Sequence, residues 1–213
     1  MNLTAFRHPH RLGDNGSVER VVRASGVILA AGLSSRFGSP KQQAVLGDRT
    51  MLEHVVAAAR ASGLAPVIAV VPPGFEPPDG AVGVVNDRPA HGLSRSLHLG
   101  IGAVPVDAEA AVILLGDQPT VADATIEALI DASAGARPVV ATRAEGRIGP
   151  PVLLRREAFG LVEQATGDEG LASILARRPD LVAYLDVAAH APDVDTPEDL
   201  ERLGVPSEPG PGG

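Results

Sequence analysis

Gly26-Val27-Ile28-Leu29-Ala30-Ala31-Gly32-Leu33-Ser34-Ser35-Arg36-Phe37-Gly38-Ser39-Pro40-Lys41 is the stretch on which the architecture turns. Its first six residues, Gly26 to Ala31, are apolar without alternation. That pattern suits a strand covered on both faces. The strand runs directly into Ala30 to Lys41, a turn with two glycines and small neighbours. Such a backbone curls closely, so its N–H groups can point at phosphate oxygens. Arg36 and Lys41 add the positive charge that a triphosphate needs. No Gly-Lys-Ser/Thr follows, so this is not a Walker A loop, and no Gly-x-Gly-x-x-Gly dinucleotide turn is present. An ordinary strand-to-helix turn with solvated cations uses the same residue types. The spacing Ser-x-Arg-x-Gly-x-x-Lys is what favours phosphate.

Outward from this stretch, short apolar runs alternate with helical patterns. The expected strands are Gly26–Ala31, Pro66–Val71, Val82–Val85, Ala110–Leu115, Pro138–Thr142, Pro151–Leu154 and Leu181–Val187. Met51, Leu52, Val55, Val56 and Ala59 share one helical face, and Thr50 with Glu53 forms a capping box at its start. Further helices are expected at Leu93–Ala103, at Thr120–Ser133 with Thr as the first residue, and around 155–165 and 169–178. A last one starts at Thr196-Pro197-Glu198-Asp199, with Thr as N-cap and acids in the first turn. Buried strands separated by helices predict a single α/β domain of three layers around a mostly parallel sheet. The folded body is expected over 25–204, after a disordered leader at 1–24 and before a flexible Pro/Gly tail at 205–213.

Bulk composition narrows the function. The chain has 213 residues, of which 45% are hydrophobic and 2% aromatic. With almost no aromatic side chains, base stacking on a nucleic acid is disfavoured. The formal net charge of -8 leaves no global basic field for DNA or RNA. The absence of cysteine excludes disulfides, thiolate metal sites and cysteine nucleophiles. No stretch approaches the roughly 18 apolar residues of a membrane span, and the leader has no apolar signal core. The expected location is cytoplasmic. His8 and His10 read as tail residues rather than as a metal tract.

In such sheets ligands sit beyond the carboxyl ends of the strands. Ala110–Leu115 ends in Gly116-Asp117-Gln118-Pro119, which puts a carboxylate suited to Mg²⁺ in the crevice. The same residues are also turn formers. The last strand leads to Asp193-Val194-Asp195. Two acids one residue apart point to opposite sides if extended, and Asp195 is the one expected to face the site, unless it merely precedes the Thr196 cap. Asn86, Ser94 and Ser96 are candidates for base or ribose contacts and Gly92 for close ligand approach, although Ser94 equally suits a helix cap. His91 reads as a loop residue. His54, His98 and His190 are isolated and carry no assigned chemistry. Among residues 145–170, where the acceptor pocket is expected, Asp168 stands out, with a helix N-cap as the alternative.

The segments LAAGLSSRFGSPK, GLSRSL, LLGDQP and DVDTPEDL, in this order, resemble the MobA-like NTP transferase family, and within it most closely the molybdenum cofactor cytidylyltransferases. The resemblance covers about 25–204. It implies a Rossmann-like, glycosyltransferase-A-type fold. It implies Arg36, Lys41 and Asp117 as catalytic residues and Mg²⁺ on Asp117 and Asp195. It implies nucleotide contacts at Leu29, Ala30, Ala31, Gly32, Ser34, Ser35, Arg36, Gly38, Lys41, Pro72, Asn86, Gly92, Ser94 and Gly116. Leu-Ala-Ala-Gly is similar to cytidylyl members, where guanylyl members usually carry Leu-Ala-Gly-Gly; the Ala31 methyl would narrow the pocket against a purine. Pro150 stands where relatives often have His or Asn, so a polar residue facing the acceptor is missing, and Phe37 replaces a commoner Met.

The implied reaction is in-line attack on the α-phosphorus of CTP by a phosphate oxygen of molybdopterin, with pyrophosphate leaving. That phosphate is already ionised near neutral pH, so positioning and charge neutralisation suffice. A molybdenum enzyme receiving the product is the protein partner the resemblance suggests. Use of GTP, a different phosphorylated acceptor, or a catalytically silent nucleotide-binding accessory role are the competing readings. A nicotinamide oxidoreductase is disfavoured by the missing dinucleotide fingerprint.

Overall fold

The computed structural model describes residues 22–32, 37 and 41–204. The candidate residues Ser34, Ser35, Arg36 and Gly38, most of the expected leader and the 205–213 tail lie outside the described residues.

Strand β1 (Ala24–Leu29) is buried at every position, with Val27 and Ile28 wholly inaccessible. It therefore begins two residues before the expected start. Two-residue strands β2 (Val45–Leu46) and β3 (Arg49–Thr50) form a separate small hairpin. Helix α1 (Met51–Ala61) follows, opened by the expected capping box: Glu53 N–H donates to Thr50 Oγ1 at 3.2 Å, and Thr50 N–H donates to Glu53 Oε2 at 2.6 Å. Next come β4 (Val67–Val71), β5 (Ala81–Val85), α2 (Leu93–Gly102) and β6 (Ala110–Leu115). After α3 (Asp123–Ala132) come β7 (Val139–Ala144), β8 (Arg147–Arg155), α4 (Leu171–Ala176), β9 (Val182–Asp186) and α5 (Pro197–Gly204).

Seven strands form one sheet in the order β5-β4-β1-β6-β8-β7-β9. Only β8 opposes its neighbours; the other pairings are parallel. One face packs on α1 and α3 through Leu52, Val55, Val56, Ile126 and Leu129. The other packs on α2, the 3-10 segment Arg156–Gln164 and α4 through Leu97, Leu161, Ile174 and Leu175. Each buried Leu or Ile of these layers contributes about 1.5–3 kcal/mol. The expected three-layer α/β architecture is what the chain adopts.

Several expectations are corrected. Thr120 does not open α3: the N-cap is Ala122, without a side-chain cap, because the chain first closes a turn in which Val121 N–H donates to Gln118 O at 3.1 Å. The Pro151–Leu154 strand is longer, Arg147–Arg155, and antiparallel, because Glu145 (φ 49°) and Gly146 (φ 77°) turn β7 back into it. The 155–165 helix is 3-10 rather than α. Helix α4 is shorter than 169–178, and its N-cap is Gly170, so Asp168 does not cap it. Strand β5 lies at the sheet edge, with Val82 57% and Val85 53% exposed.

Candidate active site

The parallel register brings the strand ends level. Leu29 pairs with Leu115, and Gly116 N–H donates to Leu29 O at 3.0 Å. Ala30 N–H donates to Val70 O at 2.8 Å, and Asn86 N–H to Val71 O at 2.8 Å. Gly116, Ala30, Pro72 and Asn86 therefore leave the sheet along one rim. Gly116 has to be small: a Cβ there would lie 2.7 Å from the Ala30 methyl.

Asp117 follows on this rim, and three distant segments meet at its carboxylate. Lys41 Nζ lies 2.8 Å from Asp117 Oδ2 and 2.8 Å from Asp195 Oδ1. The lysine side chain is 11% exposed, that of Asp117 24% and that of Asp195 48%. Burial works to lower the Lys41 pKa, but the hydrogen bonds and charges of Asp117 and Asp195 outweigh it and hold the ammonium above the ordinary lysine range.

The segment bearing Asp195 is stitched down on both sides. Val194, fully buried, donates its N–H to Asp117 O at 2.9 Å. Asp199 Oδ2 accepts from the N–H groups of Asp195 at 3.2 Å and Thr196 at 3.0 Å, while Asp199 N–H donates to Thr196 Oγ1 at 3.2 Å. The hydrogen bond from Thr196 leads the interactions that hold the Asp199 carboxyl below its usual range. Asp193 has a partner of its own in the loop that bears Asp117. It accepts a hydrogen bond from Gln118 Nε2 at 2.9 Å. Partial burial, then the charge of Asp117, push the Asp193 carboxyl above its usual range. Gln118 and Asp193 are the participants that sequence reading passed over, although both lie inside motifs it singled out.

Asn86 is fully buried and its amide is committed. Nδ2 donates to Ser96 Oγ at 3.0 Å, and Oδ1 accepts from Arg88 N–H at 3.0 Å and Arg95 Nε at 3.1 Å. In this state it shapes the loop between β5 and α2 rather than facing solvent. Ser94 is 6% exposed and its N–H donates to Gly167 O at 3.0 Å, so it does not cap α2; Gly92 takes that place, at φ 87°. A Cβ on Gly92 would lie 2.3 Å from the Gly167 carbonyl, so the close approach expected there is by the chain's own backbone. The Ala31 methyl, 3% exposed, packs into the core on the α2 face. Gly32, three residues beyond the end of β1, is exposed. Across the sheet the His190 ring packs on Gly149, with Nε2 buried without a hydrogen-bond partner.

The carboxylates of Asp117 and Asp195 meet at one ammonium, a hard-oxygen pair that fits a divalent cation. Among the described residues no cluster of three or more His, Asp or Glu side chains stands ready to hold a metal. A pair of carboxylates is a donor set of the kind Mg²⁺ accepts, since it uses one or two carboxylates and keeps waters and substrate phosphates among its ligands.

This seven-stranded mixed sheet, covered by helices on both faces, has the architecture of a nucleotidyltransferase-type domain. Residues 26–182 match the MobA-like NTP transferase domain, and the chain belongs to that family. The crystal structure of Rv0371c from Mycobacterium tuberculosis H37Rv is similar at 32% identity and a TM-score of 0.75, covering 86% of this chain and 98% of that one. A structure of Rv0371c in complex with manganese superposes at a TM-score of 0.69 with 30% identity, covering 86% and 98%. The 2-C-methyl-D-erythritol 4-phosphate cytidylyltransferase of Streptomyces coelicolor is 34% identical over 137 residues. That alignment takes in 55% of this chain and 48% of the relative, so the chain spans about half that enzyme's length. Among the described residues no helix is long and apolar enough to cross a membrane.

Proposed function

We propose that this chain is a cytoplasmic, Mg²⁺-dependent cytidylyltransferase that moves CMP from CTP to a phosphate oxygen of a small phosphorylated acceptor, molybdopterin being the acceptor the sequence motifs favour. The observation that carries the reading is the Asp117–Lys41–Asp195 constellation at the rim. The acceptor phosphate oxygen attacks the α-phosphorus, the bond from that phosphorus to the bridging oxygen breaks, and pyrophosphate leaves with the electron pair. No general base is required. When bound, Mg²⁺ supplies Lewis-acid neutralisation of phosphate charge. Asp117 and Asp195 would hold it. Lys41, with Arg36, neutralises charge on the departing pyrophosphate, and the backbone of the Ala30–Lys41 turn orients the phosphates. Leu29, Ala30, Gly116 and Pro72 border the same rim and would shape the nucleotide's seat.

A second acceptor is favoured by a specific observation: the Streptomyces relative is named for 2-C-methyl-D-erythritol 4-phosphate. A polyol phosphate is therefore the alternative to the pterin. Unfolding midpoints with CTP, GTP, ATP and UTP, each with and without Mg²⁺, test the donor. At about 100 times Kd a ligand adds about 2.7 kcal/mol, on the order of 5–10 °C for a chain of this size. A Mg²⁺-dependent shift with CTP alone is expected; a shift with GTP alone would overturn the donor assignment. Pyrophosphate release with molybdopterin or with the polyol phosphate then separates the acceptors, and binding without release would point to an accessory role.

A further inference from the structure

We propose that Lys41 is the resident counter-ion of the ligand-free site: its ammonium holds the seat between Asp117 and Asp195 that a divalent cation takes, and the exchange frees the lysine for the nucleotide's phosphates. The inference rests on the metal-dependent reading above. Lys41 Nζ is equidistant, at 2.8 Å, from one oxygen of each carboxylate. That point is also where a metal shared by both acids would sit, and two cations cannot occupy it together.

The identity of the side chain supports this. Lys41 is the only lysine in the sequence; arginine supplies every other cation among the 18 Lys and Arg residues. A compact ammonium on a flexible stem fits between two carboxylates and leaves readily, whereas a planar guanidinium binds as a broad fork. Charge gives the exchange its consequence. Two carboxylates and one ammonium leave this trio at net −1, which opposes a polyphosphate. Replacing the ammonium with a divalent ion neutralises the acids and releases a positive charge beside the Ala30–Lys41 turn. The trio and its metal then total +1. Nucleotide binding thereby becomes conditional on metal, and by linkage the nucleotide tightens the metal by the same factor.

The sole lysine makes the test direct, because an amine-acylating reagent has one side-chain target. Mn²⁺ binding to the full chain is followed by electron paramagnetic resonance, and Lys41 acylation by mass spectrometry across the same titration. Acylation is expected to rise several-fold as Mn²⁺ saturates, and to fall again when CTP is added. Lys41→Met is expected to bind Mn²⁺ more tightly, on the order of the 5–150-fold typical of coupled sites. Mn²⁺ binding with unchanged Lys41 reactivity would overturn the proposal while leaving the metal site standing. Absence of Mn²⁺ binding to the wild-type chain would instead remove the metal-dependent reading itself. The wild-type acylation measurement stands even where Lys41→Met fails to fold.

Discussion

Gln118 Nε2 donates to Asp193 Oδ1 at 2.9 Å, and this bond ties the loop that bears Asp117 to the segment that bears Asp195. Gln118 is 4% exposed, so its amide has little access to water as a substitute partner. Gln118→Leu is expected to cost about 1–3 kcal/mol, the penalty of leaving a partly buried polar group unsatisfied. It should also weaken Mn²⁺ binding, because the segment bearing Asp195 loses a tie to the loop bearing Asp117. A denaturant melt and a Mn²⁺ titration measure the two effects; a stability loss with unchanged Mn²⁺ affinity would reduce Gln118 to a packing residue.

Asp193 gives a pH dependence of definite sign. Its folded-state pKa is raised by burial and by Asp117. A carboxyl with a raised folded pKa favours the folded state below its unfolded pKa and loses that contribution as pH rises through the folded value. Asp193→Asn, which retains an oxygen to accept from Gln118, is therefore expected to raise the melting temperature at pH 7 relative to wild type. The advantage should vanish below the unfolded carboxyl pKa of about 3.9. Equal melting temperatures at pH 7 would count against the raised pKa.

Asp117→Asn tests the chemistry. The amide keeps the size of the side chain but loses the charge that pairs with Lys41 and would hold metal. Turnover is expected to fall at least about 10²-fold, as when a principal electrostatic group is removed from an active site. The circular dichroism spectrum should be unchanged. Activity like wild type would sink the assignment of Asp117.

Gly116→Ala tests the rim. The new Cβ would meet the Ala30 methyl at 2.7 Å, so the ends of β1 and β6 must part. Overpacking of this kind costs about 1–3 kcal/mol, and it displaces the start of the candidate phosphate turn. CTP affinity, read by calorimetry, should fall together with stability. Thr50→Ala is the contrasting control. It removes the α1 cap far along the chain from the rim acids, at about 1 kcal/mol, a fall of about 2–4 °C, with CTP affinity unchanged.

Much of this was legible in the sequence. Ala110–Leu115 is strand to the residue, and Thr50 with Glu53 forms the capping box that its spacing announces. Both are local patterns. What was not legible depended on the path of the chain. An apolar run such as Pro151–Leu154 does not tell its direction, and only the turn at Glu145 and Gly146 makes β8 antiparallel. Thr120 looks like a cap, but the turn closed by Val121 N–H on Gln118 O comes first. The commitment of the Asn86 amide to Ser96 and Arg95 required the fold of the β5–α2 connection. Lys41 and Asp195 are 154 residues apart, so their pairing through one ammonium is a property of the assembled sheet. Lys41 being the only lysine was countable from the start, and it is the composition signal that would have drawn attention to that position.

The lone reversed strand has a consequence in time. β7 and β8 are joined by a two-residue turn, so their pairing closes a short loop, on the scale of microseconds for a hairpin. β1, by contrast, finds β6 more than 80 residues further on, as the pairing of Ala24 with Ala110 requires, and long closures of this kind slow folding. We expect the β7–β8 half to acquire amide protection first and the β1–β6 rim last. Pulse-labelled hydrogen exchange during refolding would show it, and simultaneous protection of both halves would refute it. On that schedule nucleotide competence arrives only when the whole sheet is complete, so the onset of CTP binding is a clock for the final folding step.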